Sequence, residues 1–192
     1  VYGSAAAQST ASLLGTVVML IVCAPFASKL AAKFGKKELA VASSICSALV
    51  WLVCLIWRPA SVWGFVACYI LANIGMGFFN TIIWAMITDV IDDAEVRSGI
   101  REDGTIYSVY SFARKLGQAF SSGLVGALLG IIGYTEATAF DPAVTRGIFN
   151  MACIAPIIGF VCIVLALVFL YPLNKKKVEE NVAALAARRN SK

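Results

Sequence analysis

Five apolar segments, each long enough to cross a bilayer, restrict this chain to one class of fold. They run over Ser9–Ser28, Leu39–Trp57, Val62–Val90, Gly104–Gly133 and Gly147–Tyr171. A helical span needs roughly 20 apolar residues, and a backbone in lipid must satisfy its own hydrogen bonds. The chain is 60% hydrophobic and only 14% charged, whereas a soluble domain is about a quarter charged. An all-α, multi-pass membrane protein is expected. Val1–Gln8 reads as the end of an earlier helix, and residues 173–192 as a basic tail following a transmembrane bundle over 1–172.

Charge placement sets the expected orientation. Of the sixteen Lys and Arg, twelve fall in Lys29–Lys37, Arg97–Arg101 and the C-terminal tail, while only Arg58 and Arg146 occupy the opposite connections. Cationic loops stay on the cytoplasmic side, which places the tail and the Lys29–Glu38 and Asp89–Asp103 loops there. The net charge of +5 is then explained by topology and anionic lipid; no nucleic-acid partner is expected.

The remaining two cations, Arg114 and Lys115, lie inside the fourth apolar segment. A cation near the bilayer centre costs at least about 2.5–3.5 kcal/mol on insertion scales, so it is paired or faces water. Around them runs a polar face at helical spacing: Ser108, Ser111, Lys115, Gln118 and Ser122. A second stripe holds Tyr107, Tyr110, Arg114 and Ser121. Steps of three and four place such residues on one side of a helix. This wedge is expected to face the bundle interior or an aqueous cavity, the alternative being that both cations pair with buried carboxylates to hold helices together. The third segment carries a weaker stripe, Asn73, Gly77, Asn80, Trp84 and Thr88. Its amides and indole suit a sugar, or equally interhelical bonding and packing.

Gly126 and Gly130 form a GxxxG pair, and Gly75 and Gly77 lie in the third segment; such residues let helices approach closely. Pro25 and Pro156 are expected to kink or end their helices. The six cysteines lie in apolar segments without a CxxC pair, and histidine is absent, so neither a disulfide framework nor a zinc site is expected. A membrane-embedded enzyme would need a nucleophile, base or metal set that the polar face does not hold. The loop DVIDDAEVRSGIRED mixes both signs. It suits ion pairs that break and form as helices rock, or simple solvation. The tail reads as solvated and partly frayed, or as a short amphipathic helix over Val178–Arg189.

The stretch from Asp89 to Gln118, DVIDDAEVRSGIREDGTIYSVYSFARKLGQ, closely resembles the glycoside–pentoside–hexuronide:cation symporter family. That family belongs to the major facilitator superfamily and includes the melibiose permease. The resemblance rests on Asp89-x-x-Asp92, Gly99, Arg101, the Asp103-Gly104 pair, Tyr107-Ser108 and Lys115-x-Gly117, and Asp93 departs from the Tyr the family often has. SKLAAKFGKKE resembles the superfamily's basic loop between its eighth and ninth helices. The resemblance implies a C-terminal half: five spans corresponding to helices eight to twelve of twelve. It implies Na⁺- or H⁺-coupled uptake of a sugar, glycoside or uronide across the cytoplasmic membrane. Lys115 would be the key residue, with Tyr110, Ser111, Arg114, Gln118, Asn80 and Trp84 around it. Asp89, Asp92, Arg97, Arg101 and Glu102 would form the conformational-loop motif. No cofactor is implied. The coupling cation's carboxylates belong to an N-terminal half that this sequence, opening on Val1 rather than Met, is expected to lack. The rival reading is a transporter-fold membrane protein that senses or binds a partner without transport.

Overall fold

A computed structural model describes residues 5–190, and within them the chain is helical throughout, without a strand. α1 (Ala5–Val18) passes through a π-helical turn (Met19–Cys23) into α2 (Ala24–Phe34). The long helices α3 (Lys36–Trp57), α4 (Val62–Ser98), α5 (Asp103–Ile132) and α6 (Pro142–Phe169) follow, then a final helix, α7 (Lys175–Asn190). α3 to α6 are each long and apolar enough to span a membrane. The first expected span is a bent pair, Ser9–Cys23 and Pro25–Phe34, meeting at 49°. Pro25 lies in the first turn of α2, where its missing N–H is tolerated but a straight continuation is not. α6, by contrast, runs unbroken through Pro156.

Five boundaries differ from the sequence reading. The expected Lys29–Glu38 loop is helical except at Gly35, and α6 opens at Pro142 rather than Gly147, taking Arg146 into the helix. Ala5–Gln8 are not the end of a separate helix: they open α1, while Val1–Ser4 lie outside the described residues. The Asp89–Asp103 segment is not a loop. α4 continues through it to Ser98, because no glycine or proline interrupts Asp89–Ser98 and the Asp93–Arg97 pair (2.8 Å) adds support one turn apart. Gly99 then ends the helix in the left-handed region (φ 77°), donating its N–H to the Glu95 carbonyl. The tail is not frayed. α7 buries Asn181 and Leu185 against the bundle.

Inside lipid, helices associate by close packing and hydrogen bonding rather than by the hydrophobic effect, and α3 and α4 show both. At Gly75 an added Cβ would lie 2.5 Å from the Ser43 carbonyl oxygen and overlap the Ser47 hydroxyl. Ser47 Oγ donates across to the Ala72 carbonyl at 2.9 Å. Gly77 receives Cys23 in the same way, and Cys23 Sγ reaches the Ile74 carbonyl at 3.2 Å. α6 completes this core through Phe149, Cys153 and Phe160, packed on Trp51, Cys54 and Cys68. A second cluster joins Ala27, Ala40, Ile82, Met86 and Leu167 nearer the α7 end.

α5 stands apart. It has no buried residue along its 30 positions, and Gly117, Gly123, Gly126 and Gly130 face open space. The GxxxG pair therefore packs against nothing among the described residues.

Candidate functional site

Two groups of the expected site residues come together, at different heights. The first joins the middle of α4 to the first half of α5. Trp84 meets Tyr110 edge-on (centroids 5.3 Å apart) and Tyr107 at 6.4 Å, and the Arg114 guanidinium lies over the indole at 5.7 Å. Helical spacing explains the convergence: Tyr107, Tyr110 and Arg114 occupy one stripe of α5. An arginine on a tryptophan face gains on the order of 0.5–2 kcal/mol, more where water is excluded. Arg114 thus rests on a ring rather than on a carboxylate.

The other stripe carries Lys115, and it does not turn into the bundle. Ser111, Lys115 and Gln118 are exposed. None of these three side chains makes a hydrogen bond or ion pair with a described residue. This differs from the expectation of an inward-facing wedge. α5 touches α4 and α6 only sparsely, so no helix covers it. The hydroxyls of Ser121 and Ser122 turn back to the Gln118 carbonyl, and Asn73 bonds the Tyr69 carbonyl. These polar groups are satisfied within their own helices. Asn80 is half-buried on α4, one turn from Trp84.

The second group sits at the α7 end of the bundle. Asp89, only 5% exposed, accepts from Lys36 Nζ at 2.5 Å, and its other oxygen has no partner. Lys36 also donates to the Ala85 carbonyl at 3.3 Å. Sequence reasoning placed Lys36 in a basic loop and could not pair it with Asp89, because nothing local signals a contact 53 residues away. Arg101 folds back from beyond Gly99 to make 2.8 Å contacts with Asp92, Glu95 and Asp103. The Asp92, Glu95 and Asp103 carboxylates push its pKa above the usual guanidinium value. Arg97 pairs with Asp93, while Glu102 flanks the start of α5 without a cap bond.

α7 closes this end. Asn181 donates to the buried Asp93 Oδ1 at 2.9 Å. Arg188 donates to the Glu95 and Val96 carbonyls at 3.2 and 3.0 Å, at the last turn of α4, whose carbonyl end favours a cation. Lys37 and Lys175 cap the Tyr171 and Lys33 carbonyls.

A cavity of ≈ 280 Å³ opens between α3, α4 and α6, lined mostly by apolar groups including Trp51, Tyr69, Met76 and Phe160. It holds Asn73 but none of the expected site residues. Among the described residues no cluster of His, Cys, Asp and Glu has metal-binding geometry.

The family model for MFS/sugar transport protein matches residues 1–175. The chain is 29% identical over 180 residues to a glucuronide carrier protein homolog of Escherichia coli (strain K12), covering 92% of this chain and 38% of that protein. It is 34% identical over 152 residues to an uncharacterized symporter of Bacillus subtilis (strain 168), covering 79% of this chain and 33% of that protein. The chain thus spans little more than a third of the length of these relatives.

Proposed function

The chain belongs to the MFS/sugar transport protein family, and from that premise we propose that it forms part of a cation-coupled symporter for a sugar, glycoside or uronide. It is a multi-pass membrane protein and not an enzyme. In the proposed cycle, two helical halves rock around a site near the bilayer midplane. This chain supplies one wall, α4 and α5. A further segment, corresponding to the part of the relatives that the match does not cover, supplies the other wall and the carboxylates for Na⁺ or H⁺. The membrane is the cytoplasmic one, with α7 on its inner side, as the positive-inside bias favours.

One observation carries this reading. α5 presents an unpaired lysine and exposed polar groups on a helix with no buried residue, beside an arginine held on Trp84. A polar helix face inside lipid is untenable unless something polar covers it. A transport cavity shared with a second wall meets that need. Lys115 would serve as counter-charge to carboxylates of that wall or as donor to solute hydroxyls. Arg114 can leave Trp84 for an acidic group, freeing the indole as a stacking face for a sugar ring. A uronide fits this pair of roles, since it joins hydroxyls to a carboxylate. The Arg101 network and the Lys36–Asp89 pair would form and break as the α7 end closes and opens.

The test uses the full-length protein encoded by the reading frame extended upstream of Val1, reconstituted in vesicles. A Na⁺ or proton gradient should drive labelled glucuronide uptake. Lys115→Ala should abolish accumulation while the inserted, folded amount stays unchanged. Normal accumulation by the variant would overturn the assignment, and loss of folded protein would show a structural lysine instead. The present chain alone should give no solute-dependent cation flux, because one wall cannot enclose a two-sided cavity.

A further inference from the structure

The bundle end opposite α7 holds two cations that the transport reading does not use. Arg58 and Arg146 come from connections far apart in sequence, yet both line one cleft of ≈ 300 Å³ with Pro59, Ala60, Pro142 and Thr145, floored by the buried Phe149. Arg58 is the one non-glycine residue at positive φ (48°) among the described residues. That conformation is unfavourable for a side chain with a Cβ. It ends α3 and carries the guanidinium toward α6, where it donates to Asn150 Oδ1 at 3.2 Å. Arg146, one turn into α6, is exposed and makes no ion pair or hydrogen bond with any described residue. Among the described residues no carboxylate forms an ion pair with either cation, Asp141 beside Pro142 included. Two guanidinium groups lining one cleft, neither paired with a carboxylate among the described residues, offer a site for a divalent or bidentate oxyanion.

The surroundings select the kind of anion. Ile56, Trp57 and Trp63 flank the α3–α4 turn and are 74%, 62% and 59% exposed. Exposed indoles at the ends of spanning helices mark headgroup depth, and the adjoining apolar surface suits acyl chains. A free anion would use the arginines but leave this apolar rim uncovered. We propose that the Arg58–Arg146 cleft binds the phosphate headgroup of an anionic phospholipid, with Trp57 and Trp63 beside its glycerol backbone. The lipid would fasten the α3–α4 turn to the start of α6. The inference rests on the membrane-spanning bundle alone and stands independently of solute or coupling ion.

The test titrates the detergent-solubilised chain with dihexanoyl-phosphatidylglycerol, its phosphatidylcholine counterpart and inorganic phosphate, reading the shift in Tm. Phosphatidylglycerol should bind at least about five-fold more tightly than phosphatidylcholine, since each arginine near an anionic headgroup is worth about a factor of five. Arg146→Gln should weaken it by about that factor, and Arg58→Gln with Arg146→Gln by roughly the square of it. Arg146 has no ion pair or hydrogen bond with a described residue to lose, so the single variant should fold normally even where the double variant does not. Lys33→Gln, at the other end, should change nothing. Equal binding of the two lipids, an unaffected Arg146→Gln, or an equal loss in Lys33→Gln would each overturn the proposal. Inorganic phosphate that saturates at the same concentration in an Arg146-dependent way would make this a free-anion site and overturn the lipid assignment.

Discussion

Replacing Lys36 by methionine removes the side-chain partner, the only one among the described residues, of a carboxylate that is 5% exposed and has one oxygen already unpaired. Breaking a buried ion pair from one side costs about 3–5 kcal/mol, most of it the penalty for the charge left behind. Lys36 keeps 31% of its own side chain in solvent, so screening places the expected loss near the lower limit, about 3 kcal/mol, or roughly 150-fold in the folding equilibrium. The mirror change, Asp89→Asn, is expected to cost only about 1 kcal/mol, because the freed ammonium can turn to water while the amide keeps a hydrogen bond. The double variant should cost about 1.5 kcal/mol, some 2.5 kcal/mol less than the two singles together. Titration of micelle-bound protein with sodium dodecyl sulfate, followed by far-ultraviolet circular dichroism, measures all four proteins. Equal costs for the two singles, or a double variant equal to their sum, would refute the claim that buried Asp89 depends on its pairing with Lys36.

Three further outcomes are expected. Gly75→Ala should lose about 2 kcal/mol by overpacking the α3–α4 seam, whereas Gly126→Ala should gain up to about 1 kcal/mol in this chain because its Cβ meets nothing and alanine is the better helix former; a loss at Gly126 in the same titration would show that α5 is already packed. Asn181→Ala removes the bond to buried Asp93, so hydrogen exchange over Lys175–Asn190 should quicken by about ten-fold for a bond worth about 1.4 kcal/mol, and unchanged protection would mean that α7 is held by Leu185 and Arg188 instead.

The spans were legible because hydropathy and length are local properties. Leu39–Trp57 and Gly104–Gly133 fall within two or three residues of α3 and α5. The end of the fourth span was legible at Gly133, which sits at positive φ; Gly35 and Gly99 do the same at the ends of α2 and α4, inside stretches expected to be loops. The extension of α4 was missed because dense charge resembles a solvated loop. Charge reports exposure, not backbone state, and Asp89–Ser98 contains only residues a helix accepts. The docking of α7 was missed for another reason. Its anchor, Asn181 on Asp93, joins residues 88 apart, and no periodicity in Val178–Arg189 announces one buried amide. In the candidate site, Tyr107, Tyr110 and Arg114 could be read as one stripe, but that Trp84 is what they meet follows only from how α4 and α5 cross. The inward aim of Lys115 was inferred from the cost of a charge in lipid. That argument says the charge must be covered, not that a helix of this same stretch covers it.

The length of α4 has a mechanical consequence. Its 37 residues form a rigid rod of about 55 Å, against a hydrocarbon layer of about 30 Å, so about 25 Å of it stands outside the lipid, divided between its two ends. That rod carries Asp89, Asp92, Asp93 and Glu95, and through them Lys36, Arg101 and α7. It is a lever arm. A tilt of about 10° within the bilayer would sweep its tip by about 4 Å, more than the length of any ion pair mounted on it. Small rocking of the membrane portion is thereby converted into the making or loss of whole contacts at the tip, so the α7 end behaves as a switch with discrete positions rather than a surface that yields by degrees.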